Sequence, residues 1–197
     1  MWNERYQGED FVYGKEPNGF LCEAIRGVPA GRVLCLAEGE GRNAVFLAER
    51  GHTVTAVDAS AVGLEKAQRL AAERGVQITS EVADLAEFEI KRESWQTIVS
   101  IFCHVPPEIR TKLHRRVVAG LSPGGRFILE AYTPAQLDLG TGGPPVRELM
   151  MTLAELEKEL AGLDFEHALE TERDIVEGSL HTGTGAVVQI IAHKPIR

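Results

Sequence analysis

Two glycines, Gly39 and Gly41, separate a short apolar run, VLCLA, from the segment RNAVFLAER. Their spacing, Gly39-x-Gly41-x-x-Ala44, fits the G-x-G-x-x-G/A pattern by which a strand-to-helix turn brings its backbone close to a nucleotide. Asp58 ends the next apolar run, 19 residues past Gly39. There a carboxylate can accept from two ribose hydroxyls. NAD, FAD and S-adenosylmethionine all carry such a ribose. The charges beside the loop favour the last. A pyrophosphate sits at a helix N-terminus, where N–H groups and the helix dipole attract anions. Glu38 and Glu40 would oppose it at close range. S-Adenosylmethionine has no phosphate and carries a sulfonium and an ammonium. Asp84 follows the third apolar run, where a contact to the adenine edge would fall.

These residues need a scaffold, and the hydrophobic pattern supplies one. RVLCLA (32–37), TVTAVD (53–58), ITSEVAD (78–84), TIVSIF (97–102) and RFILEAY (126–132) read as strands. Helices fall between them: 42–50, stopped at Gly51; one capped by Ser60 and closed at Gly75; and one with Ile109, Leu113, Val117 and Leu121 on a face. A further short helix spans 19–26, and SPGG (122–125) reads as a turn. Alternating strands and helices predict a parallel sheet covered on both faces. The last quarter breaks the rhythm. Thr152 and Glu155 form a capping-box pattern, and strands around 165–176 and 185–193 follow with no room for a crossover helix. They must pair as an antiparallel hairpin. The expected fold is therefore α/β, a doubly wound, mostly parallel seven-stranded sheet with a C-terminal antiparallel hairpin, in one domain over 1–197.

Composition bounds the partners. The 197 residues carry a formal net charge of -8 and contain no basic run, which argues against nucleic acid as a ligand. No run of about 18 apolar residues predicts a membrane span, and the polar start MWNERYQGED has no signal-peptide core. Cys22, Cys35 and Cys103 are odd in number and scattered, which favours a reducing, cytoplasmic setting over a disulfide framework. The six histidines are dispersed, and none pairs with a carboxylate at ligand spacing, so no metal site is expected. A homodimer is compatible with the sequence, which carries no feature that shows one.

The stretch VLCLAEGEGRNAVFLAERGHTVTAVDAS resembles motif I and the acidic end of strand two in class I S-adenosylmethionine-dependent methyltransferases. With YGKEPNGFL near the start, ADL after strand three, LSPGG before strand five and GTGGPP beyond it, the chain is similar to the small bacterial tellurite-resistance and thiopurine methyltransferase-like branch. The sequence departs from D-x-G-x-G-x-G at Cys35, where the family has an acid, and at Ala37, where it has the first glycine. The resemblance implies that Ala37, Glu38, Gly39 and Gly41 form the cofactor loop, with Glu38 substituting for the missing acid. It implies that Asp58 holds the ribose and that Ala59 and Leu85 flank the adenine, whose amino group Asp84 takes. Asn43 would reach the methionine end. Residues 1–30, with Tyr13, resemble a lid over the cofactor.

The acceptor is expected beyond the carboxyl end of strand four, where the chain reads SIFCHVPP. This lacks the [D/N]-P-P-[Y/F] sequence of amino-methylating enzymes. His104 is the candidate base there, with a hydrogen bond to the following loop as its bland reading; Cys103 reads as core. The glycine- and proline-rich 139–145 loop could close over substrate or merely connect. His181, in the hairpin connection, reads as exposed. The expected activity is methyl transfer to a small molecule, a thiol, a chalcogen oxyanion or another small metabolite. The alternatives are an NAD-linked Rossmann oxidoreductase and a methyltransferase-like binding protein without turnover.

Overall fold

The computed structural model describes residues 2–178 and 182–196. His181 lies outside the described residues. The elements are α1 (Trp2–Arg5), α2 (Gly19–Ala24), β1 (Arg32–Leu36), α3 (Arg42–Glu49), β2 (Thr53–Asp58), α4 (Ala61–Glu73), β3 (Thr79–Val82), β4 (Trp95–Ile101), α5 (Pro107–Gly120), β5 (Leu121–Tyr132), α6 (Gln136–Leu139), α7 (Leu153–Glu159), β6 (Asp164–Val176) and β7 (Thr182–His193). They build one seven-stranded sheet in the order β3-β2-β1-β4-β5-β7-β6. Strands β1 to β5 pair in parallel, while β7 lies antiparallel to both β5 and β6. This is the mixed sheet expected from the sequence.

Alternation along each strand divides the core between the two faces. Leu34, Leu36, Ile98, Phe127 and Leu129 meet Leu113 and Val117 of α5 and Leu156 of α7. Val33, Cys35, Ala56, Val99 and Ile128 face Leu21 of α2, Leu47 of α3 and Leu64 and Leu70 of α4. Burial on both sides explains why β1 and β4 read as mostly apolar runs without strict alternation. Ser60 caps α4 by accepting from Gly63, and Thr152 and Glu155 close the capping box of α7.

One reading needs correction. SPGG does not precede β5 as a separate turn but lies within its bounds. Pairing jumps from Trp95↔Leu121 to Thr97↔Arg126, so the segment bulges out of register. Gly125 is required there, since a Cβ would lie 2.7 Å from the Ser122 carbonyl oxygen and 2.9 Å from that of Trp95. The 139–145 segment is pinned to the sheet. Gln136 Nε2 donates to the Gly142 carbonyl at 3.1 Å, Thr141 Oγ1 donates to that of Thr184 at 2.5 Å, and the Ala186 N–H donates to Gln136 Oε1 at 2.9 Å.

The strand order reverses between β1 and β4, where Cys35 pairs with Val99 and Leu36 with Ser100. In open α/β sheets the crevice outside the carboxyl ends at such a switch point is where ligands bind.

Candidate cofactor and acceptor site at the switch point

The residue after β1 and the residue after β4 share an unusual backbone. Ala37 has φ 50° and Phe102 φ 52°, two of the three non-glycine positive-φ residues among those described. A left-handed L-residue costs on the order of 1–2 kcal/mol. Both loops therefore turn sharply as they leave the sheet, one on each side of the crevice. At Ala37 this accounts for the glycine usual in the motif: the position asks for positive φ, and alanine meets it under strain.

Gly39 and Gly41 have different reasons to be glycine. Gly39 (φ 62°) lies under Tyr6, whose hydroxyl would be 2.7 Å from an added Cβ. Gly41 (φ 89°) faces α4, where a Cβ would come within 2.4 Å of Ala67 Cβ. Gly41 thus serves close packing of α3 on α4, while Gly39 bends the loop.

Glu38 and Glu40 are both buried. Glu38 Oε1 accepts from the N–H of Asn43 at 3.0 Å and of Ala44 at 2.7 Å, capping α3 with its carboxylate. Burial pushes its carboxyl up to about 7, against the pull of those two N–H groups and of Arg42. Cys35 lies beneath it, fully buried, with its thiol pushed well above the ordinary range by burial and by Glu38. Glu40 pairs with Lys66 at 2.5 Å, both side chains 2% exposed. Its charge is neutralised within the protein.

Asp58 binds the same loop from β2. Its Oδ2 accepts from the Gly39 N–H at 2.9 Å and its Oδ1 from Ser60 N–H at 2.7 Å. Burial raises its carboxyl above the ordinary value, with those N–H groups opposing. Ala59 beside it is exposed. Asp84 is also exposed, its Oδ1 accepting from Ala86 N–H at 2.9 Å in the turn after β3, and Leu85 is buried. Asn43 reaches back to the N-terminal segment: its Oδ1 accepts from Asn18 N–H at 2.9 Å.

His104 is held by the backbone on both ring nitrogens. Nδ1 lies 2.8 Å from the Leu149 carbonyl, to which it donates, leaving Nε2 to accept from Tyr132 N–H at 3.3 Å. Burial, opposed by the Leu149 bond, lowers its pKa to about 4. That is the geometry of a neutral histidine tying the 102–107 loop to β5, and it leaves neither nitrogen to take a proton from an acceptor. Its ring stacks on Tyr132 at 5.8 Å, and Tyr132 stacks on Phe102 at 4.6 Å. Cys103 is core.

Tyr13 contributes its N–H to Glu40 Oε2 at 3.3 Å and its hydroxyl accepts from Arg5 at 3.0 Å. The reading of the sequence missed Tyr6, which is buried over Gly39, its ring edge-on to that of Tyr13. Nothing in its polar neighbourhood marked it. It also missed Lys66, one of four charged residues in α4. Among the described residues, no group of three His, Cys, Asp or Glu side chains could hold a metal ion, and no helix is long and apolar enough to cross a membrane.

The chain is similar to known methyltransferases in part of its sequence and in its fold. Residues 33–125, from β1 through the start of β5, match the family of methyltransferase domains. A 2-heptyl-1-hydroxyquinolin-4(1H)-one methyltransferase of Mycobacteroides abscessus is 34% identical over 122 residues, which cover 60% of this chain and 54% of that protein. The chain spans about half the length of this curated relative. TehB from Haemophilus influenzae superposes with a TM-score of 0.74 at 17% identity, covering 98% of this chain and 65% of TehB. A SAM-dependent methyltransferase from Methanosarcina mazei superposes with a TM-score of 0.67 at 17% identity, covering 92% of this chain and all of that one (100%). Residues 33–125 thus match a methyltransferase domain by sequence, and the chain around them has the fold of solved S-adenosylmethionine-dependent methyltransferases.

Proposed function

We propose that the protein binds S-adenosylmethionine at the 37–41 loop and transfers its methyl group to a small-molecule acceptor. One observation carries the choice of cofactor. The N–H groups of Asn43 and Ala44, which open α3 and would attract a pyrophosphate, already hold the carboxylate of Glu38. A dinucleotide would have to displace a buried carboxylate with its own anion. A sulfonium cofactor makes no such demand, and its positive charge would favour the ionised form of Glu38.

In this reading Asp58 accepts from the ribose hydroxyls while its Gly39 and Ser60 bonds hold it in place. Ala59, Leu85 and Asp84 border the adenine, and Ala37 and Gly39 let the backbone approach. Asn43 serves the methionine end indirectly, through its bond to Asn18. The bound cofactor supplies an electrophilic methyl on sulfur. The chain aligns the acceptor with it, and alignment contributes much of the rate in an in-line displacement.

His104 bears on the acceptor. With both nitrogens bound to backbone, His104 is read here as a structural residue rather than as the base at the end of β4, and the acceptor as one that arrives already ionised or ionises with ease. Within the acceptors expected from the sequence, this favours a thiol, a chalcogen oxyanion or an acidic hydroxyl over an amine or an alkyl alcohol. The curated relative supports the choice, since the compound in its name carries a hydroxyl on a ring nitrogen. The finer placement in the tellurite-resistance and thiopurine-like branch is part of the same proposal, supported by YGKEPNGFL and GTGGPP and by the likeness of fold to TehB.

The test is an acceptor panel of thiols, N-hydroxy heteroaromatics, selenite, tellurite and amines, with S-adenosylhomocysteine release followed by mass spectrometry. Turnover on the acidic acceptors and none on amines is expected. Turnover on amines alone would refute the assignment of acceptor. Binding of the cofactor with no product from any acceptor would favour the reading as a binding protein.

A further inference from the structure

Lys66 is a fully buried lysine of α4 whose polar contacts all run to the N-terminal segment and the cofactor loop. Its Nζ donates to the carbonyl oxygens of Asp10 at 2.6 Å, Gly8 at 3.0 Å and Tyr6 at 3.4 Å, and pairs with Glu40 at 2.5 Å. The ammonium also lies 5.1 Å from the centre of the Phe11 ring. An ammonium taken out of water without partners is costly by several kcal/mol. Here three carbonyls and a carboxylate replace its hydration, and each of them belongs to residues 6–10 or to the loop.

Glu40 completes the arrangement. One oxygen takes Lys66 and the other the Tyr13 N–H, so a single carboxylate of the loop grips the segment at both ends. At the start of the held segment Tyr6 is laid over Gly39, and its ring lies 3.0 Å from where a Cβ on Gly63 would stand.

We propose that Lys66 and Glu40 are positioning residues that hold residues 6–13 over the cofactor loop, so that cofactor affinity depends on an ammonium that does not itself touch the cofactor. The inference rests on the cofactor reading above. Its physical basis is preorganisation: if the segment is ordered in only a fraction of molecules, the apparent dissociation constant rises by the inverse of that fraction.

The experiment titrates wild type, Lys66→Met and Lys66→Arg with S-adenosylhomocysteine by calorimetry, well below their melting temperatures. Tryptic cleavage after Arg5 and Lys15, both exposed, is followed in parallel. Lys66→Met is expected to bind on the order of tenfold more weakly or worse, as when a tenth of the molecules are ordered, and to be cut faster at both sites. Lys66→Arg, which keeps a cation, should recover part of the affinity. In the wild type, S-adenosylhomocysteine should slow both cuts, a measurement that stands even if Lys66→Met fails to fold. Unchanged affinity in a folded Lys66→Met, or no protection in a wild type that binds, overturns this inference alone. A wild type that does not bind S-adenosylhomocysteine overturns the cofactor reading and this inference with it.

Discussion

Asp58 Oδ2 accepts the Gly39 N–H at 2.9 Å, joining the acid at the end of β2 to the glycine turn at the end of β1. The carboxylate proposed to hold the ribose is thereby also a brace for the cofactor loop, and its second oxygen braces Ser60 at the start of α4.

Asp58→Ala should therefore have two effects. Loss of charge-assisted bonds to the ribose should weaken S-adenosylhomocysteine binding by about 2 kcal/mol. Two buried N–H groups left without an acceptor should lower folding stability by about 1–3 kcal/mol. Calorimetry and urea unfolding separate the two. A folded Asp58→Ala protein with wild-type affinity would remove Asp58 from the site.

Glu38 makes stability depend on pH in a defined direction. Its carboxyl titrates near 7 in the folded chain against an ordinary 4.5. Between those values the folded state holds a proton that the unfolded state has lost, so stability falls as pH rises, by about 3 kcal/mol over the window. Glu159 works at lower pH and in the opposite sense. Burial would raise it, but hydrogen bonds from His114 and Arg110 hold it near 2, and that stability is lost below pH 4.5. Unfolding measured from pH 5 to 8 should show the decline in the wild type and a flatter curve in Glu38→Gln. The same slope in both proteins would acquit Glu38.

His104→Ala should act on stability before turnover. It removes the ring bonds to the Leu149 carbonyl and the Tyr132 N–H, a loss of about 1–3 kcal/mol. Removing a general base costs about 10²–10⁴ in rate. The present geometry implies far less, with no inflection in the pH–rate profile lost. A drop of that size in a folded variant would restore His104 as the base.

Much of this was legible in the residue pattern. The central parallel strands β1, β4 and β5 stand in apolar runs because they are buried on both faces, while the edge strands β3 and β6 are mostly exposed and carry a weaker signature. The glycine pair and Asp58 marked the switch point for the same reason: a tight turn and a terminal carboxylate are local features. What escaped was long-range. SPGG reads as a turn locally, and only its pairing with Trp95 makes it a bulge within β5. Glu40 reads in the sequence as a charge bearing on the ligand, because its partner, Lys66, lies a helix away. Tyr6 has no local pattern at all; its place is set by the carbonyls that Lys66 holds.

The strain at Ala37 is open to direct measurement. Ala37→Gly relieves a left-handed alanine, and the gain is partly offset by glycine's freedom in the unfolded chain. Its melting temperature should match or exceed that of the wild type. Ala37→Val, whose branched side chain tolerates positive φ poorly, should melt several degrees lower. A destabilised glycine variant would show that the turn is not strained.

The measurement that bears most directly on the cofactor assignment is parallel calorimetric titration of the wild-type chain with S-adenosylmethionine, S-adenosylhomocysteine and NAD. Because Glu38 already occupies the start of α3, micromolar binding of the two sulfur compounds and none of NAD is expected. Binding of NAD alone would contradict the assignment, and silence toward all three would leave the chain without the cofactor its site is argued to hold.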